Sequence, residues 1–325
     1  MRLLKLVPDN TNIGFVKARW IAFSLTILLT IASIALIATR GLNLGVDFVG
    51  GLMVETEFQQ PVSLDKLRGE VNRLGVGEAS LQQFGASNVV SIRLPLPSET
   101  DEGATNAVVK KVQTALSAEY PGVQFRRTDT VSGKVSGELI KTGVIAVVLS
   151  IIGIALFSWF RFEWQFGMST AVAIIHDVIM TLGFFALTQI EFDLSIVAAV
   201  LTIVGYSIND KIVIDDRIRE NLRKYRQMDM RALVDLSVNE TLPRTVMTSL
   251  TLLLALGALL LFGGDVIRGF TAAMMLGILI GTYSSIYVSS SLLISLGVTA
   301  QSFAPKAADS NAERVTKRDN EGAVP

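Results

Sequence analysis

A group of ionisable residues interrupts one of the most apolar parts of the chain. After the apolar stretch 195–204 the sequence reads GYSINDKIVIDDRIREN, from Gly205 to Asn221. A charged side chain inside a bilayer costs at least about 2.5–3.5 kcal/mol, so such residues normally face a bundle interior or a wet cavity. We therefore interpret Asp210, whose short side chain cannot snorkel far, as a carboxylate that serves ion-coupled transport. A buried polar cluster that only fastens helices together is the alternative.

Other polar residues could act together with Asp210. Arg244 opens a later apolar stretch, in TLPRTVMTS, where an arginine alone is more often an anchor on the inner membrane surface. If Arg244 faces Asp210, the arginine favours the charged carboxylate and dehydration favours the neutral acid. Alternation between these environments would drive proton uptake and release. We expect polar support for this site from Ser207, Asn209 and Asp177.

His176 and Asp177 are adjacent, midway along a third apolar stretch. Histidine titrates near neutral pH, so a proton relay is conceivable. We favour a hydrogen-bonded structural pair, because the sequence shows no partner for the two residues.

The remaining charges around Asp210 are interpreted as surface groups. Near the inner interface a charge costs little, and long side chains can reach water. Lys211 can also pair with the carboxylate four residues further along the same helical face. We expect snorkelling or surface pairing for Lys211, Asp215, Asp216, Arg217 and Arg219.

The composition indicates a membrane protein and excludes several kinds of site. Half of the 325 residues are hydrophobic and only 18% are charged, which is too apolar for an ordinary soluble domain. The formal net charge is +0, so nothing suggests nucleic acid as a partner. The absence of cysteine excludes disulfides and thiolate metal sites, and one histidine excludes a histidine-rich metal site. No GxxxxGK[ST] motif occurs, so we expect that the chain does not hydrolyse ATP itself. We expect no cofactor, with protons as the coupling ion.

Six apolar stretches are long enough to cross a membrane. About 20 helical residues span a hydrocarbon core of roughly 30 Å. The first stretch follows basic residues, as in a signal peptide, but it is longer and lacks a clear cleavage site, so we interpret it as an uncleaved helix. The predicted spans are residues 20–38, 140–159, 166–188, 195–215, 244–262 and 267–295.

Lysine and arginine are concentrated in alternate connections between these spans. The connections 189–194 and 263–269 contain one arginine between them, Arg268, whereas the other short connection segments and both ends carry many basic residues. Basic residues favour the cytoplasmic side. We therefore predict a cytoplasmic N-terminus (1–19), a first transmembrane helix (20–38), a periplasmic domain (39–139), five further helices (140–300) and a disordered cytoplasmic tail (301–325).

The predicted periplasmic segment alternates strand-like and helix-like patterns. Its order, βαββαβ, is typical of a ferredoxin-like domain. We therefore expect a polytopic α-helical membrane protein with six transmembrane helices and one periplasmic α+β domain. The strands are predicted at residues 52–58, 79–84, 89–94 and 124–130, the helices at 63–74 and 104–118, and a turn at 85–88.

Several segments, taken together and in this order, resemble the SecD/SecF family of bacterial protein-export membrane proteins, and in particular its smaller SecF members. The resemblance extends from about residue 12 to 295. The segments are GLNLGVDFVGG (41–51), HDV (176–178), GYSINDKIVIDDRIREN (205–221), TLPRTVMTS (241–249), FGGDVIRGF (262–270) and GTYSSIYVSS (281–290).

This resemblance implies a bundle of the resistance-nodulation-division (RND) type, in which a SecD partner supplies the other half of a pseudo-symmetric core. The family's proton-linked aspartate matches Asp210, and its functional arginine matches Arg244. The other essential carboxylate belongs to SecD. Lys211 and Asp215 depart from the family pattern, which commonly has small, hydroxyl or apolar residues there, and a pairing of Lys211 with Asp210 would weaken the proton-site assignment.

The resemblance further implies a non-enzymatic subunit of the bacterial inner membrane that uses the proton motive force to promote polypeptide export. The implied partners are SecD, the translocation channel SecYEG, YajC and the unfolded exported polypeptide. An RND exporter of small molecules or lipids is one alternative, although such exporters typically carry two six-helix halves and two large outer domains. A scaffold that stabilises a translocon without using protons is the other.

Overall fold

The structure is a computed structural model that describes residues 7–8, 11–83, 86–96, 102–264 and 266–299. The predicted tail 301–325 and the first residue of the predicted turn, Gly85, lie outside this part of the chain. Six long helices of the described residues are apolar enough to cross a membrane, which confirms the fold class. They are α1 (Arg19–Arg40), α5 (Gly133–Arg161), α6 (Trp164–Thr188), α7 (Leu194–Lys224), α8 (Met230–Phe262) and α9 (Arg268–Tyr283), the last continued by a π-helical turn (Ser284–Ser289) and α10 (Ser290–Ser295).

Small residues allow these helices to approach closely. A Cβ atom on Gly277 of α9 would lie 2.4 Å from Ile203 of α7, and one on Gly183 of α6 would lie 2.3 Å from Ser33 of α1. Such contacts exclude any larger side chain, as expected for helices that associate by close packing in a bilayer. Helices α6, α7 and α9 form the buried centre of the bundle.

Helix α8 begins well before the predicted transmembrane span. Pro243 directly precedes the predicted span at Arg244 and therefore suits the first turn of a helix, but it lies inside α8, thirteen residues after Met230. The additional helix forms because its apolar face, with Leu233, Val234 and Val238, packs in one cluster with Phe15 and its neighbours. A proline inside a helix removes one backbone hydrogen bond, and this packing offsets that loss.

Between α1 and α5 the chain forms the α+β domain. Its strands are β1 (Gly51–Glu57), β2 (Ser80–Gln83), β3 (Val89–Leu94) and β4 (Gln124–Val131), and its helices are α3 (Leu64–Arg73) and α4 (Glu102–Glu119). The sheet is antiparallel in the order β2-β3-β1-β4, as the ferredoxin-like prediction requires. Alternate strand residues such as Leu52 and Val54 pack under Leu67 and Val112 of the two helices.

Two glycines join this domain to the bundle. The short helix α2 (Val46–Val49) ends at Gly50 and Gly51, whose φ angles are +74° and +121°, values that favour glycine. A Cβ on Gly51 would lie 2.8 Å from the carbonyl oxygen of Leu94, and one on Gly50 would lie 3.2 Å from Gly133. The two chain connections of the domain therefore meet at Gly50 and Gly133, where a side chain on residue 50 would be crowded and its backbone strained.

Candidate functional site: a buried charge network on α7

Helix α7 carries charged groups on its buried face. Ser207 and Lys211 are fully buried, and Asp210 and Asp215 are 3% and 1% exposed. Neighbouring helices α6, α8 and α9 cover this part of α7, so these groups face protein and not lipid.

Lys211 binds Asp177 of α6. Its Nζ atom lies 3.1 Å from Asp177 Oδ2, and both side chains are 0% exposed. The ammonium group also donates to the hydroxyls of Ser207 and, at 3.2 Å, Ser284. Both hydroxyls in turn donate to Asp177 Oδ2, at 2.5 Å and 2.9 Å. A buried ion pair needs such additional hydrogen bonds to offset the cost of removing two charges from water.

A π-helical turn lies at the junction of α9 and α10, where the network includes Ser284. This turn, Ser284–Ser289, changes the helical register, and π-helical turns are frequent at functional sites. The hydroxyls of Ser284 and of the next residue, Ser285, both lie within hydrogen-bond distance of the carbonyl oxygen of Gly281 in their own helix. The Ser284 hydroxyl additionally reaches Asp177 of α6.

His176 accompanies Asp177 in the same cluster. Its Nδ1 atom lies 3.1 Å from Asp177 Oδ1, and the ring is buried. The pair therefore has the hydrogen bond that we expected of a structural role. The sequence did not reveal its charged partner, Lys211, because the two residues are 34 positions apart.

Two interpretations of charges on α7 are wrong. Lys211 neither snorkels nor binds Asp215, since it is fully buried on Asp177. Asp215 is buried within the bundle rather than located at the surface, because α7 continues as a packed helix beyond the predicted span. The surface interpretation is right for Asp216, which is 54% exposed beside Arg161, and for Arg217, which binds Glu240.

Asp210 lies outside the Lys211 network. Its Oδ2 atom is buried and has no hydrogen-bond partner among the described residues. Lys211 and Arg244 both act on it electrostatically, but no ion pair within 4 Å joins it to Arg244, whose side chain is exposed. Of the expected supporting residues, the structure places Ser207 and Asp177 around Lys211 and leaves Asn209 exposed.

A chain of hydroxyl groups links α7, α8 and α9 one turn before Asp210. The Tyr206 hydroxyl lies 3.0 Å from Ser249 Oγ, which lies 2.8 Å from Thr282 Oγ1. Thr245, between Arg244 and this chain on α8, is buried and its hydroxyl has no partner among the described residues. These hydroxyl groups were not predicted as site residues, although the segment TLPRTVMTS contains two of them, Thr245 and Ser249.

A second group of charges lies where the sheet faces the bundle. Arg93 of β3 reaches Glu191 of the α6–α7 connection at 3.1 Å, with side chains 18% and 11% exposed. Burial raises the pKa of the Glu191 carboxyl, and Arg93 only partly opposes this shift. A cavity of about 520 Å³ adjoins the pair, and its lining includes Asp47, Glu55, Arg127, Asp129 and Asp193. Within the described ranges, no three histidine or acidic residues are arranged to hold a metal ion.

Comparison with known proteins identifies the family. The model of the protein export membrane protein SecD/SecF C-terminal region matches residues 111–299, and the model of the SecD/SecF GG motif matches residues 35–62. The protein translocase subunit SecF of Cereibacter sphaeroides is 44% identical over 300 residues, which cover 91% of this chain and 93% of that protein. The subunit of the same name from Rickettsia akari is 41% identical over 291 residues, covering 89% and 94%.

Two solved structures have the same fold. The crystal structure of SecDF, a translocon-associated membrane protein from Thermus thermophilus, matches 90% of this chain with a TM-score of 0.82 and 35% identity. SecDF in its super-membrane-facing form matches 96% with a TM-score of 0.65 and 33% identity. This chain spans only 39% and 40% of those two chains. The comparisons confirm the resemblance: the chain belongs to the SecD/SecF family of protein-export membrane proteins.

Proposed function

We propose that this protein works with a SecD protein to use the proton motive force for polypeptide export, and that Asp210 carries the proton. One observation carries the proposal: the Asp210 carboxyl is buried in the bundle, and one of its oxygens has no hydrogen-bond partner among the residues that the structure describes. An ionised carboxylate without a partner is strongly disfavoured there, so the group has reason to bind a proton. Asp210 can therefore change charge in response to its surroundings.

The exposed arginine supports a role for the partner. Arg244 acts on Asp210 through space while its side chain is exposed. A second bundle that covers this face would remove Arg244 from solvent and strengthen its attraction for the ionised carboxylate. Movement of the two bundles would then alternate Asp210 between proton uptake and release. One charge crossing the membrane yields about 2.3 kcal/mol per 100 mV, which can shift a two-state equilibrium.

The uncovered helices support SecD as that partner. In the most apolar 18-residue segment of each helix, only 6% of α5 and 11% of α8 is buried, against 56% of α6. The solved relatives are named SecDF, and this chain matches about two fifths of each. We infer that a separate SecD protein supplies the remaining part.

The basic residues of the connections support the orientation. Arg217, Arg219 and Arg223 lie near the C-terminal end of α7, whereas the connection before α7, residues 189–194, contains no lysine or arginine. Basic residues favour the cytoplasmic side. We place both termini in the cytoplasm and the ferredoxin-like domain in the periplasm of a bacterium, with the bundle in the inner membrane. The further partners that we propose are SecYEG, YajC and the unfolded polypeptide, and protons are the coupling ion.

An export assay with Asp210→Asn tests the proposal. The substitution should reduce export into inverted membrane vesicles to the level seen when the proton gradient is collapsed, while co-purification of SecD is unchanged. Asp216→Asn, a neighbouring exposed aspartate, is the matched control and should export normally. Retained gradient-dependent export in Asp210→Asn would instead support the scaffold. An RND exporter would not co-purify with SecD and the channel.

A further inference from the structure

Asp215 is a buried acid that the proposed function does not use. It lies about 30 Å along α7 from Leu194, near the inner edge of the hydrocarbon core, yet it is 1% exposed. Its Oδ2 atom has no hydrogen-bond partner in the described part of the chain. It is five residues from Asp210 and therefore occupies a different face of the helix.

Lys211 is the cation that acts on Asp215, but its ammonium group is already bound. It lies 3.1 Å from Asp177 and also contacts Ser207 and Ser284. Within the described part of the chain, the ionised form of Asp215 would therefore lack both a dedicated counter-ion and a hydrogen-bond donor for Oδ2. A buried acid in such surroundings takes up a proton instead.

The ionisable groups on the helices packed around this part of α7 have other partners. On α8, Glu240 binds Arg217 of α7, and Arg244 acts electrostatically on Asp210. The tyrosine on α9 donates to the backbone of α1, and the tyrosine of the π-helical turn stacks on it. The groups are Arg161 with Asp216, His176 with Asp177, Glu240 with Arg217, Arg244 near Asp210, Tyr283 with Ala22 and Tyr287 with Tyr283.

We propose that Asp215 is a second proton-binding carboxyl group, separate from Asp210 and placed to exchange protons with the cytoplasmic side. The inference rests on the proposed function, to which it adds a second proton site. In the protonated form Asp215 leaves Lys211 on Asp177, as in the structure. Loss of the proton creates a carboxylate four residues from Lys211 on the same face. Its attraction for Lys211 then competes with that of Asp177. Proton release is thereby coupled to the packing of α6 against α7.

Infrared spectroscopy of the full-length protein in lipid nanodiscs tests the proposal. Spectra recorded from acidic to alkaline pH, in H₂O and D₂O, report protonated carboxyl groups through their C=O stretching bands. One band should be present at neutral pH, disappear at alkaline pH and be missing in Asp215→Asn. Asp215→Glu should shift that band and not remove it. Asp216→Asn, the adjacent exposed acid, should leave every band in place.

The outcomes separate the two proposals. If Asp215→Asn and Asp215→Glu alter no band, Asp215 is ionised throughout and the inference is overturned. A band that is missing in Asp215→Asn but persists unchanged to alkaline pH would also overturn it, because the acid would then be a fixed structural group. Asp210→Asn should remove a different band. If it does not, or if this variant retains gradient-dependent export, the proposed role of Asp210 fails whatever Asp215 does.

Discussion

At the scale of single residues, the choice of partner by Lys211 explains how charge is held inside this bundle. Asp210, Asp215 and Asp216 lie on its own helix, yet it binds Asp177 of a neighbouring helix. Asp177 accepts hydrogen bonds from Ser207 and Ser284 and contacts His176. These groups stabilise the Asp177 carboxylate independently of the lysine. Asp215, in contrast, has an oxygen without any partner among the described residues. Hydrogen bonds therefore favour Asp177 over Asp215 as the carboxylate that Lys211 binds.

This ion pair predicts a strong dependence of each partner on the other. Lys211→Met leaves a buried carboxylate without its cation, and we expect it to lower the free energy of unfolding by about 3–5 kcal/mol. Asp177→Asn in the same chain should restore most of the loss, because two neutral groups need no mutual compensation. Denaturant-induced unfolding in mixed micelles measures both effects.

An exposed lysine provides the control for this cycle. Lys141→Met on α5 changes the same residue type at an exposed position, so we expect a change within about 0.5 kcal/mol. If the loss for the double variant equals the sum of the losses for Lys211→Met and Asp177→Asn measured separately, the two residues are not energetically coupled.

The sequence identified part of this site. The polar interruption of an apolar stretch marked Asp210, because charge inside lipid is expensive whatever the fold. The Lys211–Asp177 pair could not be found in this way, since spacing rules detect partners only within one helix. The exposure of Arg244 and the burial of Asp215 likewise depend on which helices cover α7.

At the scale of the elements, apolar length and strand periodicity carried most of the prediction. The first span was expected at 20–38 and forms α1 from Arg19 to Arg40, and strand β3 was expected at 89–94 and forms there. Helix α7 ends later than expected, at Lys224, and helix α8 begins earlier than expected, at Met230. Their extensions are amphipathic and pack against each other through Leu222 and Leu233, a contact that hydropathy alone does not reveal.

The glycine pair at the start of β1, Gly50 and Gly51, gives a prediction at this scale. Gly51→Ala places a Cβ 2.8 Å from the backbone oxygen of Leu94 at a φ of +121°, so we expect about 1–3 kcal/mol of local destabilisation. Hydrogen–deuterium exchange of the β1 and β3 amides should accelerate. Gly69→Ala, inside α3 with no atom near the new Cβ, should instead leave exchange unchanged or slow it slightly. Unchanged exchange in Gly51→Ala would mean that the strand start can relax without loss.

At the scale of the whole molecule, polar contacts hold the ferredoxin-like domain on the bundle. The connection between α6 and α7 lies against the sheet, where Gln82 donates to the carbonyl oxygen of Gln189 and Arg93 reaches Glu191. The cavity of about 520 Å³ beside these contacts shows that the surfaces do not pack as an apolar core. Polar, incompletely packed junctions of this kind permit domain movement.

The raised pKa of Glu191 makes this junction dependent on pH. Burial raises its pKa above the ordinary value of 4.5 when the domain is docked, and separation from the bundle would return it toward that value. Proton binding therefore favours the docked state. The stabilisation of the docked state by this proton is complete below the ordinary pKa of Glu191, and it is lost as the pH rises through the raised pKa. Acidification should tighten docking, and alkaline conditions should loosen it.

Because the chain contains no cysteine, two introduced cysteines can carry spin labels without background labelling. Lys110→Cys on α4 and Leu187→Cys at the end of α6, both exposed, should give a distance distribution that narrows as the pH falls. Glu191→Gln cannot titrate and should abolish this change, whereas Glu57→Gln, whose partner Arg126 belongs to the same sheet, should preserve it. The glutamine amide does not titrate over this pH range. If the distance distribution of Glu191→Gln still narrows as the pH falls, another acid must cause the pH dependence.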